Sequence, residues 1–210
     1  KKVFDTTVYG VADEERGIKS RLNCGAPVEV VNYPVKTFDN TKNLDLQLDT
    51  DFNFLFVGQL GPRKNLETLL SSYIKEFKDD DDVGLVLKVS LASSCRIDKE
   101  KTTRALKNML DSLDIKDRKC KIYLLQGDLS ESEVHSLYTN PSIKCYVTTT
   151  HGEGYGLPIF EAAYSGLPIV ATDWSGHLDF LWGMIAEGKS KKKKRKKLFA
   201  PVACQLKEIP

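Results

Sequence analysis

Residues 143–171 read IKCYVTTTHGEGYGLPIFEAAYSGLPIVA, and this stretch decides the fold. Ile143 to Val147 is a short run rich in β-branched and aromatic side chains, which predicts a buried strand. Three glycines then alternate through a loop, Gly152, Gly154 and Gly156. Pro158 sits at a helix start, where a missing N–H costs nothing, and Gly166 closes the helix that it opens. Leu167 to Ala171 is a second apolar run. The order is strand, glycine loop, helix, strand, which is a βαβ unit.

Working outward, the same alternation covers most of the chain. Phe52 to Val57 predicts a strand ending at Gly58. Asn65 to Phe77 has apolar residues at 66, 69, 70, 73, 74 and 77, which is helical spacing. Val83 to Val89 predicts the next strand, Asp98 to Leu113 a long polar helix, and Lys121 to Leu125 a third strand. Ser130 and Glu133 have the spacing of a capping box and start a helix through Tyr138. The fold class that follows is α/β, a Rossmann-like parallel sheet flanked by helices. Ligands in such sheets bind at the carboxyl ends of the strands. The loops after Val57, Val89, Leu125, Val147 and Ala171 are therefore the ones to read for chemistry.

The beginning of the chain is less regular. Ala12 to Leu22 predicts a short helix and Val28 to Val31 a strand, which Asn32-Tyr33-Pro34 ends. Residues 36–51 are mostly polar and read as a linker. Leu44, Leu46 and Leu48 alternate within it in the manner of an edge strand. The division expected is 1–35 as a remnant of a preceding domain with its link, 36–51 as linker, and 52–210 as the Rossmann-like domain. A chain opening on Lys1-Lys2 with no Met reads as a piece of a longer polypeptide.

Composition narrows the class. No apolar run approaches the ~20 residues needed to span a bilayer. Five cysteines, an odd number without a C-x-x-C pair, argue against a disulfide framework or a zinc site. Reduced thiols point to the cytoplasm, in solution or at the cytosolic face of a membrane. Net charge is +2. However, residues 189–197, KSKKKKRKK, hold eight of the 31 basic residues, which leaves 23 basic against 29 acidic elsewhere, a net −6. So dense a run of like charge predicts a solvated insertion, a mobile loop near the strand-end cleft. It also keeps open an anionic surface, membrane or nucleic acid, as partner. The acidic remainder counts against nucleic acid.

The first strand-end loop is Gly58-Gln59-Leu60-Gly61-Pro62-Arg63-Lys64-Asn65. Its glycines allow tight turning, and Arg63 and Lys64 lie at the start of a helix whose dipole favours an anion. Taken alone, this loop reads first as a solvated turn with two surface cations. It lacks the G-x-x-x-x-G-K-[ST] of a P-loop. In the loop after the fourth strand, G-x-G-x-G is not the dinucleotide fingerprint. Glu153 and Glu161 lie eight positions apart, and a carboxylate suits the paired hydroxyls of a sugar. Each glutamate alone reads as well as a solvent-facing charge; the combination with the glycines is what singles the segment out. Asp49-Thr50-Asp51 reads as linker acidity, and no His, Asp and Glu pattern implies a metal. His151 and His177 flank the two last loops as ligand contacts or helix caps, and His135 as a surface residue.

At these residues the chain resembles the family 4 glycosyltransferases, retaining enzymes of the GT-B fold. HGEGYGLPIFEAAYSGLPIVAT resembles their E-x7-E segment and VGQLGPRKN their diphosphate loop. IYLLQGDLSESEVHSLY resembles the segment that meets the nucleotide base, and PVEVVNYPV the link between their two domains. The resemblance implies a donor-binding domain for a nucleotide-diphosphate sugar. Arg63 and Lys64 would hold the diphosphate and stabilise the charge that builds on it as the glycosidic bond breaks. Glu153 would contact the donor sugar. Gly154, Tyr155, Gly156 and Leu157 would offer backbone N–H groups, and Glu161 would bind the ribose. Leu129 would pack on the base beside the Gln126-Gly127 backbone. Gly58, Gln59 and Lys88 would face the same cleft. Family members often carry Arg where this chain has Gln59, which removes one charge. The resemblance implies no metal and no cofactor. The acceptor, a glycan, lipid or protein, would be met through a missing N-terminal domain, so that this chain alone binds donor without efficient transfer. A non-catalytic nucleotide-sugar module is the alternative reading, and an anionic-surface or nucleic-acid binder acting through 189–197 is another.

Overall fold

The structure is a computed structural model that describes residues 33–38, 44–93, 95–113, 115, 117–186 and 193–205. The expected helix at 12–22, the strand at 28–31 and Lys189 to Lys192 lie outside them. Contacts divide the chain into two units, Lys1–Thr37 and Phe38–Pro210. Everything below concerns the second.

Its elements alternate as the sequence pattern requires. They are β1 (Phe52–Gln59), α1 (Leu66–Phe77), β2 (Val83–Ser90), α2 (Arg96–Ser112), β3 (Lys121–Leu125), α3 (Glu131–Thr139), β4 (Ile143–Val147), α4 (Leu157–Tyr164) and β5 (Ile169–Thr172). A short α5 (Leu178–Leu181), a ribbon of β6 (Trp182–Ala186) and β7 (Lys193–Lys197), and β8 (Ala200–Val202) follow. The main sheet has the order β3-β2-β1-β4-β5-β8, and every pairing in it is parallel. This is the Rossmann-like sheet expected. The order turns back between β1 and β4, so their following loops diverge and leave a crevice at their carboxyl ends.

Strand alternation sends side chains to two cores. Phe54 and Phe56 of β1, with Leu85 and Leu87 of β2, meet Leu66, Leu70, Tyr73 and Ile74 of α1 and Leu106 of α2. Leu55 and Val86 point the other way, onto Leu137 and Tyr138 of α3 and Ile159 and Ala162 of α4. Each such aliphatic or aromatic side chain contributes about 1.5–3 kcal/mol when fully buried. The helices therefore hold the sheet rigid from both sides. Among the described residues, no helix is long and apolar enough to cross a membrane.

Local signals explain most element ends. At α3, the Ser130 hydroxyl accepts from the Glu133 N–H at 3.3 Å, and Glu133 Oε2 accepts from the Ser130 N–H at 2.8 Å, the capping box that was expected. Gly166, at φ 82°, closes α4. β5 begins at Ile169 rather than Leu167, because Pro168 has no N–H for the ladder; its carbonyl instead accepts from the Tyr146 N–H at 2.8 Å. Leu44, Leu46 and Leu48 form no strand, yet all three pack against the second core. Asn140 Nδ2 donates to the Leu44 carbonyl at 2.9 Å, fixing this segment to the end of α3.

The lysine run differs most from expectation. Residues 193–197 are not a mobile loop but strand β7, paired antiparallel with β6 from Trp182↔Lys197 to Ala186↔Lys193. Stacking of Arg195 and Lys197 on the Trp182 ring, at 5.0 and 5.4 Å from its centroid, offsets part of the repulsion between the cations.

A buried polar knot anchors β1. Asn53, fully buried, donates through Nδ2 to the carbonyls of Thr50 (2.7 Å) and Ser142 (3.1 Å), and its Oδ1 accepts from the Thr50 hydroxyl at 2.6 Å. Gly84 leaves room for it, since a Cβ there would lie 2.1 Å from Asn53 Oδ1 and 2.6 Å from Thr50 Oγ1. Gly84→Ala is expected to lower unfolding stability by about 1–3 kcal/mol. Gly61→Ala, with nothing within 4 Å of the new carbon, is expected to leave it unchanged. Urea unfolding midpoints of the two variants check this.

Candidate functional site

The loops after β1 and β4 meet at the crevice, and two threonines sew them together. Thr149 Oγ1 donates to the Asn65 carbonyl (2.8 Å) while Asn65 Nδ2 donates to the Thr149 carbonyl (3.1 Å). Thr150 Oγ1 lies 3.1 Å from the Arg63 carbonyl, which also accepts from the His151 N–H at 2.8 Å. Thr148 and Thr150 are buried, and the Thr172 hydroxyl donates to the Thr150 carbonyl. These bonds fix the position of Arg63 and Lys64 relative to the glycine loop.

The two cations do not open helix α1, which corrects the sequence reading. Pro62–Lys64 is a separate 3-10 turn, and Asn65 follows it at φ 51°, ψ 43°. That left-handed residue breaks the path between the turn and α1, which starts at Leu66. The asparagine side chain makes the conformation tolerable.

Glu153 closes the arrangement. Its Oε1 lies 2.6 Å from Lys64 Nζ and its Oε2 2.7 Å from Arg63 Nη1, so each oxygen holds one cation. Arg63 Nη1 also donates to the Gly152 carbonyl at 2.6 Å. The side chains are 7% exposed for Glu153, 13% for Lys64 and 57% for Arg63. Burial alone would raise the Glu153 carboxyl, but the bonds from Lys64 and Arg63 outweigh it and hold the group below its ordinary value.

A cleft of about 520 Å³ opens beside this ion pair, the size of a small-ligand site. Gly58, Gln59, Arg63, Lys64, Lys88 and Pro158 line it, together with Val57 and Ser90. Glu153 stands behind the two cations. A Cβ on Gly58 would come within 3.3 Å of the Phe56 ring and 3.4 Å of the Lys64 stem, so the bare backbone helps seat that lysine. Lys88 Nζ donates to the Gly127 carbonyl at 2.6 Å, and burial lowers its pKa. That bond ties the end of β2 to the loop after β3, where Gly127 takes φ 121°.

The lining of this cleft does not include the other sequence candidates. Gly156, at φ 89°, starts α4, and a Cβ there would sit 3.2 Å from His177 Cβ and from Ile159 Cδ1. Leu157 is the first residue of α4 and is exposed. Gly154 has open space around it. The Tyr155 ring packs against Phe160 of α4 and Phe180 of α5 at 5.4 and 5.1 Å. Glu161 is exposed on α4, and its Oε2 accepts from the Tyr138 hydroxyl at 3.2 Å. Burial pushes that phenol well up, which keeps it a donor. Leu129 is half-buried against the second core. His151 is exposed. His177 is fully buried, with Nε2 2.7 Å from the Thr172 carbonyl, and reads as a structural residue. His135 packs against Phe38, their ring centroids 5.1 Å apart.

Sequence reasoning missed Ser175 and Gly176. Ser175 Oγ accepts from the Glu153 N–H at 2.7 Å and donates to the Glu153 carbonyl at 2.6 Å. The Gly176 N–H donates to the same carbonyl at 3.0 Å. A Cβ on Gly176 would fall 1.9 Å from the Gly154 carbonyl oxygen, so only glycine fits. The loop after β5 thus clamps the backbone of the residue that grips both cations. Ser-Gly after a strand was the available signal, but nothing in the sequence says what it touches. Ser175 holds φ 94° to do this, a conformation that disfavours a side chain. Ser175→Ala loses the clamp and keeps the strain, for an expected cost of about 2 kcal/mol. Ser175→Gly loses the same bonds but sheds the strain, and should be about 1 kcal/mol more stable than the alanine variant. Equal unfolding midpoints for the two would refute the clamp-and-strain account.

Comparison with known proteins agrees with this architecture. The model of a family described as glycosyl transferases group 1 matches residues 38–182. Among solved structures, the C-terminal domain of a glycosyl transferase group 1 family protein (LpcC) from Francisella tularensis superposes with a TM-score of 0.51 at 19% identity, covering 68% of this chain and 67% of that one. The OtsA apo structure matches with a TM-score of 0.50 at 13% identity, over 65% of this chain and 32% of that one. Sucrose-phosphate synthase from Thermosynechococcus elongatus matches at 0.47 and 19% identity, over 63% and 30%. The chain thus spans under a third of the two longer proteins. No curated protein matches it at a significant level. The family match covers more than half the chain, and the chain belongs to the glycosyl transferases group 1 family.

Proposed function

We propose that this chain binds a nucleotide-diphosphate sugar for a retaining glycosyl transfer, as the donor-binding part of a longer enzyme. The observation that carries the proposal is the pair Arg63 and Lys64, held at the β1/β4 switch point on the wall of a 520 Å³ cleft. Two cations fixed by the same loops form a site for a diphosphate, and Arg can take its oxygens in a bidentate way. Lys88, on the same cleft wall, adds a third positive group.

The chemistry follows from the charge. As the glycosidic bond breaks, negative charge grows on the diphosphate, and Arg63 and Lys64 stabilise it where it develops. These side chains supply the neutralising charge themselves, so the reaction as proposed draws on no metal and no cofactor. Gln59 on the cleft wall offers a neutral hydrogen bond where family members often carry Arg. The backbone of residues 154–157 and the Glu161 carboxylate take the sugar and the ribose. The residues that would receive an acceptor are proposed to belong to a preceding domain, of which 1–35 is the remnant and 36–51 the linker.

Glu153 occupies both cations through its carboxylate, so an arriving diphosphate must displace it. The released carboxylate is then close enough to meet the sugar hydroxyls. Donor binding is an exchange of one anion for another, and part of the diphosphate attraction is offset by the broken ion pair. The exchange favours a ligand that brings a sugar for the carboxylate to hold over a bare nucleotide.

Calorimetric titration with UDP, GDP and ADP sugars tests the proposal. One of the three is expected to bind, and Lys64→Ala should weaken it by about tenfold to a hundredfold through loss of a charged hydrogen bond. Glu161→Ala should weaken it less, by about tenfold. Absence of binding by the wild type, or unchanged binding by both variants, would sink the assignment. The exchange makes a separate demand. Glu153→Gln should bind the nucleoside diphosphate at least as tightly as the wild type, yet lose its preference for the nucleotide sugar over it. A variant that keeps that preference contradicts the displacement of Glu153.

A further inference from the structure

The β6–β7 ribbon is the most strongly charged surface among the described residues, and nothing in the donor site uses it. All five residues of β7, Lys193, Lys194, Arg195, Lys196 and Lys197, are exposed. Side chains of paired residues lie on the same face of a two-stranded ribbon. The register therefore sets Lys193, Arg195 and Lys197 beside Ala186, Met184 and Trp182, and Lys194 and Lys196 beside Ile185 and Gly183. Both faces carry cations interleaved with apolar side chains. Met184 is 59% exposed and Ile185 39%.

The apolar character continues at the base of the ribbon. The Leu198 N–H donates to the Leu181 carbonyl at 2.9 Å. Both residues line a surface groove of about 400 Å³ with Phe160, Tyr164, Leu167 and Phe180. Leu198 and Tyr164 are half exposed. Cations, an interfacial tryptophan and open apolar side chains thus adjoin one another. Outside the ribbon the chain has 26 basic and 29 acidic residues, so its charge is polarised towards this end.

We propose that the ribbon and the apolar side chains at its base dock the protein onto an anionic phospholipid bilayer. Charge complementarity selects the negative surface, since each lysine near such a surface adds a comparable increment of attraction. The apolar residues choose between anionic partners. Met184, Ile185 and Leu198 would stay in water against a nucleic-acid backbone, whereas the headgroup–acyl boundary accepts them. Trp182, with Arg195 and Lys197 over its ring, has the amphipathic character that favours that depth. Lysine dominates the strand, and its point charge suits headgroup phosphates without fixed geometry.

Co-sedimentation with vesicles of phosphatidylcholine mixed with phosphatidylserine, against phosphatidylcholine alone, tests this. The chain should bind the mixed vesicles only, and less as salt rises. The triple variant Lys193→Glu, Lys194→Glu, Lys196→Glu spares the two cations stacked on Trp182 and should bind on the order of a hundredfold more weakly. Met184→Ser with Ile185→Ser should weaken vesicle binding by about tenfold while leaving binding to duplex DNA unchanged. All five substituted side chains are exposed and lie outside the lining of the donor cleft, so nucleotide-sugar affinity should match the wild type. That match keeps this proposal separable from the donor site. Failure of the wild type to bind the mixed vesicles overturns it. So does vesicle binding that the serine variant leaves intact while duplex DNA binds as tightly at the same salt, which would make the ribbon a general polyanion binder.

Discussion

Glu153 is the only carboxylate among the described residues that touches both Arg63 and Lys64, and the site depends on that contact. The loops after β1 and β4 leave the sheet on opposite sides of the switch point, so nothing in the ladder forces them together. A nearly buried carboxylate gripping two cations does, with the threonine stitches holding the backbones in register. Arg63 is 57% exposed, so the buried half of the arrangement is the Lys64–Glu153 pair, and removing one partner of it leaves an uncompensated charge away from water. The arrangement therefore favours an incoming group that replaces the carboxylate with another anion over one that merely removes it. A diphosphate meets that condition, which is why the constraint that shapes the loops is also the argument for the ligand.

The support for Glu153 comes from a third loop. Ser175 and Gly176 bind its backbone N–H and carbonyl, and Gly156 leaves room for Glu153 and His177, since a Cβ there would lie 3.5 and 3.2 Å from theirs. His177 in turn hangs from the Thr172 carbonyl at the end of β5. The carboxylate is thus positioned by strands β1, β4 and β5 at once. Rigid placement of this kind limits where the side chain can go when displaced.

How much of this the sequence could show depended on the range of the interaction. Elements whose signals are local were legible: the β4 run, the Ser130–Glu133 capping box, the Pro158 start and the Gly166 stop of α4. So was the pairing of a cationic loop with a glycine loop, because both follow strands. What was not legible rests on contacts between distant positions. Asn65 takes a left-handed conformation because its side chain reaches Thr149, 84 residues away. Ser175 reaches Glu153 across 22 residues. Leu44, Leu46 and Leu48 read as an edge strand, but they meet a core rather than a ladder partner. The lysine run read as a repelling coil, since strand propensity and charge both argue against order. Cross-strand pairing with β6 and the Trp182 ring outweigh that local preference, and neither can be seen from the run itself.

The two cationic regions of the chain are built on opposite principles. Arg63 and Lys64 are few, anchored and already matched to a carboxylate, so their field is short-ranged and their preference is for shape as well as charge. The β7 cations are dense, exposed and adjacent to one another, with Lys197 also paired to Asp173, so their field sums and reaches as far as the ionic strength permits. A site of the first kind discriminates among ligands; a surface of the second kind gathers and orients the whole molecule. The spread of charge supports that division. Were the ribbon's cations part of the donor site, a bound anion would find too many alternative partners to be held in one geometry. Kept on a separate ribbon, they leave Arg63, Lys64 and Lys88 as the cations that line the cleft.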